Sequence, residues 1–170
     1  MKKLINFFLI LGATVACTKS SDTTAPSSKN DLQQNYLGKV TVTYTPAATE
    51  TNPNPSEETH IDEGRLLFVT FSEDGTTASV FFHKVKFSNN PYEPQSDITV
   101  PNISVSGTKD NCALTLADGD PLYAGNPFPR YHVSGLSGSI KDGKLTLSLQ
   151  FGSYPTQFSG TLTPLTDYPE

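Results

Sequence analysis

Leu67-Phe68-Val69-Thr70-Phe71-Ser72-Glu73-Asp74-Gly75-Thr76-Thr77-Ala78-Ser79-Val80-Phe81-Phe82 holds two alternating runs on either side of an Asp-Gly pair. Apolar residues recur at every second position, the period of a strand with one buried face; a helix would need a period of 3.6. Asp-Gly tolerates the positive φ of a two-residue hairpin turn. Folding the stretch about Asp74-Gly75 sets Leu67, Val69 and Phe71 opposite Phe82, Val80 and Ala78, one coherent apolar face. Asp142-Gly143 repeats the device and sets Leu136, Gly138 and Ile140 opposite Leu149, Leu147 and Leu145. The other faces carry Thr70, Ser79, His83, Thr146 and Ser148, as expected where the outside of an antiparallel sheet meets water.

Extended outward from these hairpins, the same period predicts eight strands, at 36–45, 64–72, 77–87, 98–105, 112–116, 131–140, 144–151 and 157–163, separated by Gly, Pro, Asn and Asp clusters. The fold class is all-β. Eight sequential antiparallel strands can close into an up-and-down barrel, which removes exposed edges; a two-sheet β-sandwich is the alternative, because a period of two fits both. The connections at 74–75, 106–111 and 142–143 are short and those at 46–63, 88–97 and 117–130 are long, in strict alternation. In an up-and-down barrel alternate connections share an end, so the long loops form one rim and the tight turns close the other.

That rim carries Tyr92, Tyr123, Phe128 and Tyr154, with Arg130 where the third long loop ends. Aromatic rings with polar handles suit an apolar or amphiphilic ligand, or stacking on a sugar ring; the competing reading is that they pack down on the barrel end. Leu67, Phe82 and Leu147 would line an internal cavity if the barrel is hollow, although eight-stranded barrels can be filled by side chains.

Upstream of the barrel the chain is of another kind. Met1-Lys2-Lys3 precedes an apolar run from Leu4 to Val15, too short to span a bilayer as a helix and arranged as a secretory signal. Thr14-Val15-Ala16-Cys17 resembles the lipobox of bacterial lipoproteins, which implies cleavage before Cys17 and acylation of that residue. Long acyl chains contribute about 0.8 kcal/mol per buried methylene, so the mature chain is expected to be tethered to a membrane through Cys17. Thr18 stands where an inner-membrane retention signal would place aspartate, which implies the outer membrane; periplasmic or surface exposure stays open. Residues 1–16 are then the lipoprotein signal peptide, 17–34 the lipidated cysteine with a flexible polar linker, and 35–165 the barrel domain.

Loss of Lys2 and Lys3 leaves 10 of the 12 basic residues against 17 acidic ones, a net charge of −7. Such a surface repels phosphate backbones, so nucleic acid is not an expected partner. Cys112, alone once Cys17 is acylated, reads as a buried structural thiol. His60, His83 and His132 lack metal-ligand spacing, and His60-Ile61-Asp62-Glu63 reads as part of a solvated acidic loop. Asp118-Gly119-Asp120 offers too few oxygens for calcium. With no serine elbow or phosphate-cradling glycine loop, neither catalysis nor a metal or cofactor is expected.

Tyr36-Leu37-Gly38-Lys39-Val40, the turn Phe71-Ser72-Glu73-Asp74-Gly75-Thr76, the run Ile98-Thr99-Val100-Pro101-Asn102-Ile103-Ser104-Val105 and the closing Phe158-Ser159-Gly160-Thr161-Leu162 together resemble the calycin-like β-barrel lipoproteins of gut-dwelling Gram-negative bacteria. The resemblance spans 36–163 and implies a lipocalin-like barrel in a family mostly without assigned function. Lipocalins open with Gly-x-Trp, where this chain has Gly38-Lys39-Val40. Three functions are therefore expected in turn: a tethered barrel binding a small apolar or amphiphilic molecule at its long-loop end, a surface adhesin or glycan-binding module, and a structural accessory subunit of an envelope complex.

Overall fold

The structure, a computed structural model, describes residues 32–164. The expected signal peptide, Cys17 and most of the expected linker lie outside the described residues.

Eight long strands make a closed antiparallel up-and-down barrel: β1 (Gln33–Tyr44), β2 (Glu58–Phe71), β3 (Thr77–Val85), β4 (Ser96–Thr108), β5 (Asn111–Gly119), β8 (Val133–Lys141), β9 (Lys144–Phe151) and β10 (Tyr154–Leu162). Each pairs with its neighbour in sequence, and β1 pairs with β10 to close the ring. Closure excludes the sandwich. Two short strands, β6 (Leu122–Tyr123) and β7 (Asn126–Pro127), form a hairpin inside the third long loop that sequence periodicity does not show, being too short to carry a period. The hairpin joins β4 at Ile98 and Thr99, beyond the point where β4 pairs with β5.

The Asp74-Gly75 hairpin keeps the expected pairing of Leu67 with Phe82, Val69 with Val80 and Phe71 with Ala78, through a different turn. Ser72 and Thr77 are still bonded, Gly75 N–H donates to Ser72 O, and only Gly75 has positive φ, so the loop is four residues built on a type I turn. A symmetric loop of four keeps the register of a loop of two. At Asp142-Gly143 both residues have positive φ and the two-residue turn is as expected, but the expected pairing of Leu136 with Leu149 is lost. A bulge at Gly135, φ +60°, shifts the register between Ser134 and Ser137, and Leu136 instead faces Leu116 of β5. A second correction concerns His60 to Glu63, which lie in β2 and not in a solvated loop: Asp62 is buried and ion-paired with Arg65 at 2.7 Å.

The barrel axis is filled. Tyr36, Phe82, Phe87, Phe151 and Phe158 are each no more than 2% exposed, and Phe151 meets Phe82 and Phe87 in T-shaped contacts at centroid separations of 5.2 and 5.4 Å. Gly38 of β1 faces Gly160 of β10, and a Cβ on Gly38 would collide with the Ser159 carbonyl, so the seam that closes the barrel depends on two residues without side chains.

Aliphatic and aromatic packing gives way to polar contacts at the tight-turn end. The Tyr36 hydroxyl donates to Gln34 Oε1 at 2.6 Å, and Gln34 Nε2 donates to Asp110 Oδ1 at 2.8 Å in the turn between β4 and β5. Burial, with the neighbouring Cys112 and Asp110, pushes the Tyr36 phenol well above its ordinary range, and burial likewise raises the Cys112 thiol. Cys112 is thus a neutral packing residue. Both the first and the last described residues emerge here: Tyr36 pairs with Leu162, and Thr163 N–H donates to Asn35 O.

Candidate functional site

At the opposite end the chain makes three excursions, 45–57, 86–95 and 120–132, and one tight turn at 152–153. The 86–95 loop is tied down by its own polar groups. Glu93 Oε2 accepts from the Ser88 hydroxyl at 2.7 Å, the Asn89 N–H donates to the Tyr44 hydroxyl, and Asn89 Oδ1 lies 2.8 Å from His60 Nδ1. The 120–132 excursion is strapped at its root, where Asp120 Oδ1 lies 2.8 Å from His132 Nδ1 and His132 O accepts from the Gly152 N–H. Pro129 to Tyr131 then make one 3-10 turn in place of the first residues of the predicted sixth strand, because a proline at the start sets φ for a tight helical turn.

That turn places Phe128 and Tyr131, three residues apart, on one side. Tyr131 stacks on the core ring Phe87 at 4.5 Å, Phe128 lies 5.2 Å from Tyr131, and Tyr123 lies 5.4 Å from Phe128. Tyr154 completes the array, 5.4 Å from Phe87 and 5.9 Å from Tyr131. The rings form a continuous path from the barrel axis to solvent: Phe87 is 1% exposed, Tyr131 7% and Tyr123 47%. Tilted and stacked ring pairs at such separations attract one another by about 0.5–1.5 kcal/mol beyond their area burial. Tyr123 sits on the β6–β7 hairpin, whose turn is Ala124-Gly125 with both residues at positive φ. Alanine there is strained by roughly 1–2 kcal/mol, so the hairpin tip holds its shape against local preference.

Glu93, Pro94, Ser96, Tyr123, Phe128, Arg130 and Tyr131 enclose a cleft of about 270 Å³. Its size is near the lower limit for small-molecule sites and suits one ring or a compact head group. The Arg130 guanidinium stands 5.7 Å over the Tyr131 ring, within cation–π range. Among the described residues no carboxylate lies within ion-pairing distance of Arg130. Burial pushes the Tyr131 phenol up, against the opposing effect of Arg130, so it is a neutral hydrogen-bonding group at physiological pH.

A roomier cleft of about 620 Å³ lies on the side of the barrel, over β8, β9, β10 and β1, lined by Ser137, Ser139, Thr146, Ser148, Gln157 and Ser159 among others. It is a shallow hydroxyl-lined depression, and its one charged group is Lys39. Size alone does not favour it, since it lacks both an aromatic platform and a converging charge pair.

Of the residues singled out from the sequence, Tyr123, Phe128, Arg130 and Tyr154 come together at this end. Tyr92 is 91% exposed on the neighbouring loop. Leu67, Phe82 and Leu147 point inward and are packed in the core, at 1%, 0% and 3% exposure, where the filled axis leaves them no ligand to contact. Sequence reasoning missed Tyr131 and Phe87, which read as strand ends, and Glu93, which read as an ordinary acidic loop residue. The spacing of Phe128 and Tyr131 about Pro129 was the available signal for the first of these. Among the described residues no group of three or more His, Cys, Asp and Glu side chains is placed to hold a metal ion, and no helix is long and apolar enough to cross a membrane.

The fold therefore defines an all-β protein with a closed, filled eight-stranded barrel. Compared with known proteins, the chain matches no family model, no curated protein and no solved structure.

Proposed function

We propose that this chain is a non-enzymatic envelope lipoprotein of the calycin-like barrel type, tethered to the outer membrane through Cys17, in which a filled barrel is the scaffold and the long-loop end is the binding surface. The observation that carries the reading is the chain of rings running from Phe87 through Tyr131 and Phe128 to Tyr123, which ends in a cleft and not in a closed cap. Rings exposed on one face and braced on the other offer contact area at little entropic cost. The ligand that fits is small and two-faced: an apolar side against Tyr123 and Phe128, and polar groups toward Glu93 and Arg130.

Tethering agrees with this polarity. Gln33 begins β1 at the tight-turn end, opposite the cleft, which supports an orientation with the cleft away from the lipid. Spin labels at Asp74 and Tyr123 in membrane-anchored protein are expected to place Asp74 nearer the bilayer. Binding to arrayed glycans and to amphiphiles extracted from the envelope is expected for the mature chain and is expected to be lost in the double variant Tyr123→Ala/Phe128→Ala; retention by that variant would refute the loop-end site.

A further inference from the structure

The cleft also carries information on the chemical class of what it holds, an inference that rests on the loop-end reading. The chain has two arginines. Arg65 is spent within the fold, 2.7 Å from Asp62 and donating to Lys84 O at 3.2 Å. Arg130 has no such duty. Its guanidinium stands 5.7 Å from the centre of the Tyr131 ring at the cleft wall, and no carboxylate among the described residues pairs with it. The planar guanidinium fork matches an oxyanion bidentately, and a lysine would not.

The second charged group of the cleft is engaged differently. Glu93 is held by Ser88 through one carboxylate oxygen, Oε2, which fixes the side chain. A carboxylate so placed accepts hydrogen bonds from hydroxyl groups. The cleft therefore presents an anion-binding fork, a hydroxyl acceptor and an aromatic wall together, in a volume of about 270 Å³. A fatty acid would satisfy the fork and the wall and leave Glu93 facing hydrocarbon; a neutral sugar would satisfy Glu93 and the wall and leave the fork unpaired. We infer that the site takes a sugar ring bearing an acidic group, carboxylate or phosphate, with its C–H face on Tyr123 and Phe128 and its acid on Arg130. The overall negative charge of the chain slows approach of such a ligand, while the short-range fork decides its retention.

Saturation-transfer NMR on the mature chain in detergent micelles, with D-glucuronate, D-glucose 6-phosphate and methyl glucoside as probes, tests this. At least one acidic probe is expected to bind about tenfold or more tightly than methyl glucoside, the preference disappearing in Arg130→Gln; which acidic probe wins identifies the acid. If methyl glucoside binds as well as the acidic probes and all three are lost in Tyr123→Ala/Phe128→Ala, the acidic class is overturned while the loop-end site stands. If no probe binds the wild type, or the double variant retains all of them, the inference falls, and in the second case the loop-end reading falls with it.

Discussion

The two ends of the barrel are closed by opposite means. At the tight-turn end polar groups satisfy one another: Tyr36 donates to Gln34 and Gln34 to Asp110, and the turns are two to four residues long. At the long-loop end a stack of rings rises from the core and stops at a half-exposed tyrosine beside an arginine that pairs with no carboxylate among the described residues. Both ends exclude water from the same core. They differ in what is left over: the long-loop end also pairs many of its polar groups, Glu93 with Ser88 and Asp120 with His132 among them, yet it leaves Tyr123 and the Arg130 guanidinium facing outward. The exposed ring and the guanidinium without a carboxylate partner are the reason the proposed site lies at that end.

This contrast can be broken by substitution. The largest effect is expected between the ends, in the shared core: Phe82→Ala removes a fully buried ring that meets Phe151 edge-on and should cost about 3–5 kcal/mol in urea unfolding. Next, Tyr36→Phe strands the Gln34 acceptor at the tight-turn end and should cost about 1–3 kcal/mol, with ligand retention unchanged in the folded fraction. Ala124→Gly at the other end relieves a left-handed alanine and should raise stability by about 0.5–1 kcal/mol while loosening Tyr123 and weakening binding, a split between stability and function that would mark the hairpin strain as functional. Tyr123→Ala should leave stability within about 0.5 kcal/mol of wild type and remove the ligand.

The smallest effect concerns the exposed turn at Asp74. Hydrogen bonds from the Ser72 hydroxyl, then from the Thr76 N–H and hydroxyl, hold its carboxyl at about 2, below the usual 3.8. A depressed carboxyl stabilises the fold above its unfolded value and loses that contribution as pH falls through the folded one. The difference in melting temperature between wild type and Asp74→Ala should therefore be constant above about pH 4 and shrink toward pH 2. A difference that stayed constant to pH 2 would show that the turn, and not the ionised carboxylate, carries the effect.

How much of this could be read in the sequence follows the same division. Strands of β-branched and aromatic residues at period two declare their inward face, so Leu67, Val69, Phe71 and their partners across the Asp74-Gly75 turn are placed correctly from letters alone. The filled axis is not written in any one strand. It depends on Phe82, Phe87 and Phe151 meeting across the barrel, and a pattern of two cannot count volume. Glycine in a strand is ambiguous in another way: Gly135 and Gly138 look alike in sequence, yet the first makes a bulge that moves Leu136 away from Leu149, and the second lies flat against Leu147. The loop-end rings were legible as a list of aromatics. Their order was not, because a two-residue strand and a single 3-10 turn assemble Tyr123, Phe128 and Tyr131, and neither is long enough to show a period.

Native mass spectrometry of the chain, purified gently from its source cells and compared with the Tyr123→Ala/Phe128→Ala variant, decides whether the loop end holds a ligand. An additional mass is expected on the wild type that leaves on unfolding and is absent from the folded variant. An additional mass kept by the variant would place the ligand away from the loop-end cleft and overturn the proposed site.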